Sequence, residues 1–295
     1  MITVMGASGN TGRMVAEALL ARGEKVRVVG RDAGKLASLQ ARGADVAIGD
    51  VTNAAFLTRV FTGTETAYTL LPPDPRSNAF RAYQDRVGEA TVQALRQAGV
   101  RRVVFLSSVG ADLPSGTGPI AGLHAQEERL RKLGVAVLLL RPGYFFENLY
   151  GSLPLIRHQG VNGGAIAPDV KMSMIAASDI GSAAAAAIAA RDFTGVEVRN
   201  LLGPRDLSLA EVTRILGAAI KKPDLAYVQF PYEAFAGALV QAGLSADVAG
   251  LYAEMSRAFN EGIVKVVGGR TAASTTPTTF ESFSKELAAA YAAAG

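Results

Sequence analysis

Through the first half of the chain, short apolar runs rich in β-branched residues alternate with longer amphipathic stretches, and this alternation restricts the fold more than any other feature. It is the pattern of βαβ units laid on a parallel sheet. Strands are expected at residues 2–5, 25–29, 45–48, 66–70, 102–106 and 136–140, and helices near 11–21, 33–41, 54–61, 78–98 and 120–133. Val103-Val104-Phe105-Leu106 and Val137-Leu138-Leu139-Leu140 are apolar at every position, so both faces of the sheet must be covered. A doubly wound α/β fold is the expectation.

After Arg141-Pro142-Gly143 the rhythm breaks. A Gly-rich irregular stretch at 160–168 precedes an alanine-rich helix, a β-like run at 197–201, and helical patterns at 209–219 and 232–262. The Thr-rich run 275–279 is read as a cap for a terminal helix. Residues 1–150 are assigned to the sheet-bearing domain, to which 170–202 returns. Residues 203–295, with 151–169 contributing, are assigned to a smaller, mostly helical C-terminal lobe. A length of 295 residues suits one large core with such an elaboration.

Composition serves mainly to exclude. Apolar residues make up 49% and charged residues 19%, which rules out general disorder, and with Cys at 0 disulfides are impossible. Lys+Arg exceed Asp+Glu by only 30 to 26, and the basic groups are short and flanked by apolar residues, so no nucleic-acid surface is expected. The alanine run 183–190 is well short of the roughly 20 residues a membrane span needs. The apolar start is too short for a signal peptide, which leaves the cytoplasm as the default location. Two His and no Cys offer no zinc cluster, no Gly-x-Ser-x-Gly elbow is present, and the glycine loop lacks a Gly-Lys-Ser/Thr ending.

That loop, Gly6-Ala7-Ser8-Gly9-Asn10-Thr11-Gly12, lies between the first expected strand and helix. Its Gly-x-x-Gly-x-x-Gly spacing is a variant of the dinucleotide fingerprint of Rossmann-type sheets. There glycines admit a pyrophosphate, which the helix N-terminus then stabilises. At the tip of the second strand Gly30-Arg31, with Lys35 one turn on, favours the extra phosphate of NADP(H) over the ribose hydroxyls of NAD, while Asp32 is placed to cap the next helix. Asp50 and Val51 follow strand three, where they can meet adenine. Leu71-Pro72 and Ser107-Ser108 end strands four and five and are expected to line the ribose and nicotinamide part of the groove.

These pieces together resemble the NmrA-like branch of the atypical short-chain dehydrogenase superfamily. The resemblance is carried by Gly6 to Gly12, Arg31 with Lys35, Gly49-Asp50, Phe105-Leu-Ser-Ser-Val109 and Leu140-Arg-Pro-Gly-Tyr-Phe-Phe-Glu-Asn-Leu149. It continues through Ser178-Asp179-Ile180, Gly203-Pro-Arg-Asp-Leu-Ser208 and Thr279-Phe-Glu-Ser-Phe283. Within the branch, Pro119-Ile-Ala-Gly-Leu-His124-Ala-Gln-Glu-Glu128 looks like the Pro-x-Ala-x-x-His-x-x-x-Glu segment of bacterial NADPH-dependent quinone and triarylmethane-dye reductases. The wider superfamily has Tyr-x-x-x-Lys in this region, but no Tyr or Lys lies between Asp112 and Arg131.

The missing acid has a chemical consequence. Hydride addition to a ketone gives an alkoxide whose conjugate acid has a pKa near that of water, about 15.7, whereas a quinone gives a phenolate-like oxygen near 10. The difference is on the order of 8 kcal/mol less charge for an acid to quench. An acid-poor site therefore suits a small-molecule conjugated acceptor such as a quinone or dye. His124 and Tyr144 are the candidate catalytic groups, both also placed to touch cofactor. Tyr144, Phe145 and Phe146 are positioned either to stack on a flat acceptor or to fill core, Phe146 being counted with His124 and Tyr144 among the cofactor contacts, and Asn148 resembles a family position beside the pocket. His158 is read as a surface residue. The resemblance thus implies first an NADPH-dependent oxidoreductase that passes hydride to such an acceptor; the alternative it admits is a non-catalytic NADP(H)-sensing regulator with a protein partner, and a homo-oligomer is left open.

Overall fold

The computed structural model describes residues 1–293. The chain runs β1 (Ile2–Met5), α1 (Asn10–Ala21), β2 (Val26–Gly30), α2 (Ala37–Ala41), β3 (Asp45–Ile48), α3 (Ala54–Phe61), β4 (Thr66–Thr69), α4 (Phe80–Gln97), β5 (Arg102–Leu106), α5 (Ile120–Arg131) and β6 (Ala136–Pro142). Beyond these come β7 (Tyr144–Phe145), α6 (Leu153–Gln159), β8 (Val161–Gly164), β9 (Met172–Ile175), α7 (Ala177–Ala190), β10 (Val196–Leu201) and β11 (Asp206–Leu207). The chain ends with α8 (Leu209–Ala219), β12 (Ala226–Gln229), α9 (Tyr232–Gln241), α10 (Ala246–Asn260) and α11 (Phe280–Ala293).

Seven parallel strands form the central sheet in the order β10-β6-β5-β4-β1-β2-β3. The order reverses between β1 and β4, which opens a crevice at their carboxyl ends. This is the doubly wound Rossmann-type sheet expected from the alternation. The unbroken apolar strands have the anticipated cause. Val103, Phe105, Val137 and Leu139 face one core with α3 and α4, while Val104, Leu138 and Leu140 face the other with α1 and α7. The run expected as a short β segment at 197–201 is the seventh strand, in register Val196 to Val137.

Two later elements differ from the sequence reading. The Gly-rich stretch is not wholly irregular, because Asn162-Gly163-Gly164 pairs in parallel with β12 despite lacking strand-forming side chains. The long helical pattern at 232–262 is two helices, since Gly243 turns with φ +97° and Ser245 Oγ accepts from Val248 N at 3.1 Å to start α10. The terminal cap is in place: Thr279 Oγ1 accepts from Ser282 N at 3.1 Å. A third core joins Phe146, Leu149, Met174, Val212, Leu216, Phe280 and Phe283 between α6, α8 and α11. Among the described residues no helix is long and apolar enough to cross a membrane.

Small residues bring α1 against α7. A Cβ at Gly181 would lie 2.4 Å from Met14 Cβ and 3.0 Å from Met14 C, so α1 itself would have to move. Gly181→Ala gains about 1 kcal/mol of helix propensity but incurs an overpacking cost of about 1–3 kcal/mol. A net loss of stability is expected in thermal melting; a rise in Tm would contradict this packing.

Candidate functional site

The crevice deepens into a cleft of about 1080 Å³ that runs from the glycine loop to α10. At its first end the loop is shaped by contacts no side chain could share. Gly6 turns with φ +65° against Leu70, and a Cβ on Gly12 would stand 2.4 Å from Gly6 O. Gly9 starts α1 without a side-chain cap, and no acidic residue lies in its first turn. A helix N-terminus left uncapped beside a glycine cradle fits a dinucleotide phosphate. Gly6, Ser8, Gly9, Asn10 and Thr11 line the cleft; Gly12, behind them, sets the approach of α1 to β1.

Arg31 lines the cleft and is exposed, and among the described residues nothing makes an ion pair or hydrogen bond with its guanidinium. Asp32 Oδ1 accepts from Gly34 N at 2.9 Å and Lys35 N at 3.4 Å, so its carboxylate is engaged with the turn that leads into α2. Lys35 is exposed on that turn, outside the cleft lining. Asp50 and Val51 also lie outside it, Asp50 accepting from Thr52 N at 2.9 Å and Val51 packing into the core. Tyr83 on α4 connects these groups: burial raises its phenol pKa, Arg31 lowers it, and Asp74 and Asp50 raise it. Sequence reading missed Tyr83, which sits among ordinary core positions of α4.

Leu71, Pro72, Ser107 and Ser108 line the middle of the cleft. Behind them lies a network absent from the sequence reading. Glu127 of α5 is 1% exposed and accepts Arg141 Nε at 2.9 Å and Nη2 at 2.6 Å. Ser107 Oγ donates to the same carboxylate at 2.5 Å. Burial works against the Arg141 charge, but the hydrogen bonds and field of Glu127, with Asp112 adding, hold its pKa above the ordinary value. The motif reading marked Glu128, which is exposed and pairs with Arg131 at 3.2 Å. Only helical spacing from Leu123 to Glu127 to Leu130 would have marked the inward residue.

His124 stands outside the cleft lining, its Nδ1 3.0 Å from Ala111 O. A carbonyl can only accept, so Nδ1 is the donor there, and a neutral ring presents a lone pair at Nε2. Tyr144, Phe145 and Asn148 line the far end with Tyr252, Met255 and Phe259 of α10. Tyr144 meets Phe259 edge-on at 6.4 Å and 81°. Burial pushes its phenol up to about 12, opposed by a hydrogen bond from Asn148. Phe146 turns away into the third core, 5.2 Å from Phe280 and 5.4 Å from Phe283, and His158 is exposed. Among the described residues no group of three or more His, Cys, Asp or Glu could hold a metal ion.

Two other residues of the quoted motifs turn out to hold the frame. Glu147 accepts from Ala177 N at 2.9 Å and so caps α7, while Asp179 binds Thr278 through its N–H at 2.9 Å and its hydroxyl at 2.7 Å.

The raised Tyr144 pKa has a sign that can be checked. The folded state keeps this proton up to about pH 12, whereas an unfolded chain releases it near 10. Between those values the native state binds more protons, so stability is full below about pH 10 and is lost as pH rises toward 12. Tyr144→Phe should flatten that alkaline decline in urea unfolding curves; an unchanged slope would remove the case for a buried neutral phenol.

The model of the NmrA-like family matches residues 1–283. An NAD(P)H azoreductase of Xenophilus azovorans is 31% identical, with 100% of both chains covered. Quinone oxidoreductase 2 of Escherichia coli is 30% identical over 86% of each chain. The crystal structure of an NADPH-dependent quinone oxidoreductase from Escherichia coli complexed with NADPH superposes with a TM-score of 0.82 at 25% identity, covering 97% of this chain and 99% of that one. With the glycine cradle, the switch-point cleft and a family match over nearly its whole length, this chain belongs to the NmrA-like family.

Proposed function

We propose that the protein is an NADPH-dependent oxidoreductase that reduces a quinone-like or other conjugated small-molecule acceptor. The observation that carries this reading is the single cleft joining an uncapped, glycine-lined helix N-terminus to an aromatic end. Similarity to an azoreductase and a quinone oxidoreductase supports it. Gly6, Ser8, Gly9, Asn10 and Thr11 would hold the pyrophosphate and Arg31 the extra phosphate, with Lys35 adding its charge from the adjoining turn. Asp50 and Val51 would flank adenine with Tyr83.

NADPH, when bound, supplies the hydride. The protein's part is to orient and to exclude water. Residues 203–293, with 151–169, would close the acceptor side, where Tyr252, Met255 and Phe259 form an apolar wall. Tyr144 is the polar group best placed toward a flat acceptor, with its phenol oriented by Asn148. At a pKa of about 12 it is two units too weak an acid to protonate a phenolate-like oxygen near 10 outright. It therefore acts as a hydrogen-bond donor. His124 would act from behind the lining through Ala111.

Purified protein mixed with NADPH and a panel of quinones, azo dyes and triarylmethane dyes should consume reduced nicotinamide with at least one conjugated acceptor and with no simple ketone. Tight NADPH binding without turnover across the panel would overturn the reductase reading. Arg31→Ala should weaken NADPH binding roughly tenfold or more, the loss of a charge-assisted contact, while changing NADH binding less than about twofold. Equal losses would remove Arg31 from the phosphate.

A further inference from the structure

The hydroxyl donors at the tip of β5 are both spent inside the protein. Ser107 Oγ gives its proton to Glu127 Oε1 at 2.5 Å, and the direction is fixed because a carboxylate held by Arg141 can only accept. Ser108 Oγ donates to Val109 O at 2.9 Å. Three backbone donors around them are spent as well: Ser107 N on Leu140 O, Val109 N on Pro142 O and Gly143 N on Leu201 O. Pro72, Pro73 and Pro142, which line the same stretch, have no N–H to give.

A hydroxyl has one proton and two lone pairs. With the proton committed, each serine can offer the cleft an acceptor and nothing else. Ser107 is 4% exposed, so what little it shows faces this cleft. We infer that Ser107, with Ser108 beside it, is a specificity-determining acceptor for one N–H or O–H donor of the ligand. On the NADPH reading above, on which this rests, the donor is the carboxamide amino group or a hydroxyl of the nicotinamide ribose. Glu127 acts through Ser107 by fixing the direction of its hydrogen bond and is a positioning residue. The same wall has no hydroxyl to give a developing oxyanion, so an acceptor's oxygen must find its donor at the Tyr144 end.

The test is equilibrium binding to the full chain, wild type and Ser107→Ala, by isothermal calorimetry. Three ligands are compared: NADPH, its 3-acetylpyridine analogue, in which a methyl replaces the amino group, and an analogue lacking both nicotinamide-ribose hydroxyls. Wild type should prefer NADPH over one of the two analogues by roughly tenfold, the worth of one hydrogen bond. Ser107→Ala should lose that preference, binding NADPH about tenfold more weakly and the disfavoured analogue within twofold of wild type. A preference against the acetylpyridine compound identifies the carboxamide as the donor; one against the deoxy compound identifies the ribose. Equal weakening of all three ligands, or no weakening, overturns the inference. Should Ser107→Ala fail to fold, wild-type binding of all three ligands with equal affinity would overturn it alone. Wild type binding none of them would overturn the NADPH reading and this inference together.

Discussion

One buried ion pair governs the carboxyl edge of the sheet. Arg141 is the penultimate residue of β6, Glu127 lies on α5, and Ser107 follows β5; three consecutive elements meet at one carboxylate. The pair is two-pronged, and the carboxylate's inner oxygen also holds the serine. Replacing such a pair with apolar groups of the same shape is often neutral, but removing one partner leaves the other charged and buried, at about 3–5 kcal/mol. That is a large fraction of the 5–15 kcal/mol typical of a folded domain. The contribution of the pair lies in position: the backbone ladder already spaces the β5 and β6 tips, and the pair ties α5 to both of them and fixes the hydroxyl of Ser107 beside the cleft.

The glycine-loop end of the cleft depends on a lack of volume. Gly12 lets α1 descend on Gly6, and Gly181 lets α7 descend on α1, so the helix whose N-terminus faces the cleft is held from behind by a second helix. Neither contact leaves room for a Cβ, and both lie on the face opposite α4 and α5. The middle of the cleft and its glycine-loop end are therefore anchored to different sides of the sheet. A ligand that spans them bridges structure fixed independently on each side.

Much of this was legible in the sequence for physical reasons. Strands buried on both faces leave unbroken apolar runs, and a phosphate cradle cannot be built without its glycines, so β1, β5, β6 and the loop announce themselves. Asp32 was readable as a cap because its neighbours left it no other local task. Side chains whose role is set by distant partners were not legible. Nothing local separates Glu127 from Glu128, since only packing against Arg141 assigns one to the core and the other to water. Phe146 follows Tyr144 and Phe145 in an aromatic run, but the short strand β7 turns it toward Phe280, well over a hundred residues away in the chain. Strand β8 was hidden because Asn162, Gly163 and Gly164 carry none of the side chains that mark a strand.

The route of the chain around β10 has a further meaning. After β6 the backbone leaves the sheet to build β7, α6, β8 and β9, returns through α7 to lay down β10, and leaves again for α8 to α11. Strand β8 from the first excursion pairs with β12 from the second. The far wall of the cleft draws on the same two passages, with Tyr144 and Met172 from the first and Tyr252 and Phe259 from the second. Recombination that exchanged a single contiguous segment between relatives would split that wall, so the shape of the cleft's far end changes coherently only by point substitution or by a paired exchange of both passages.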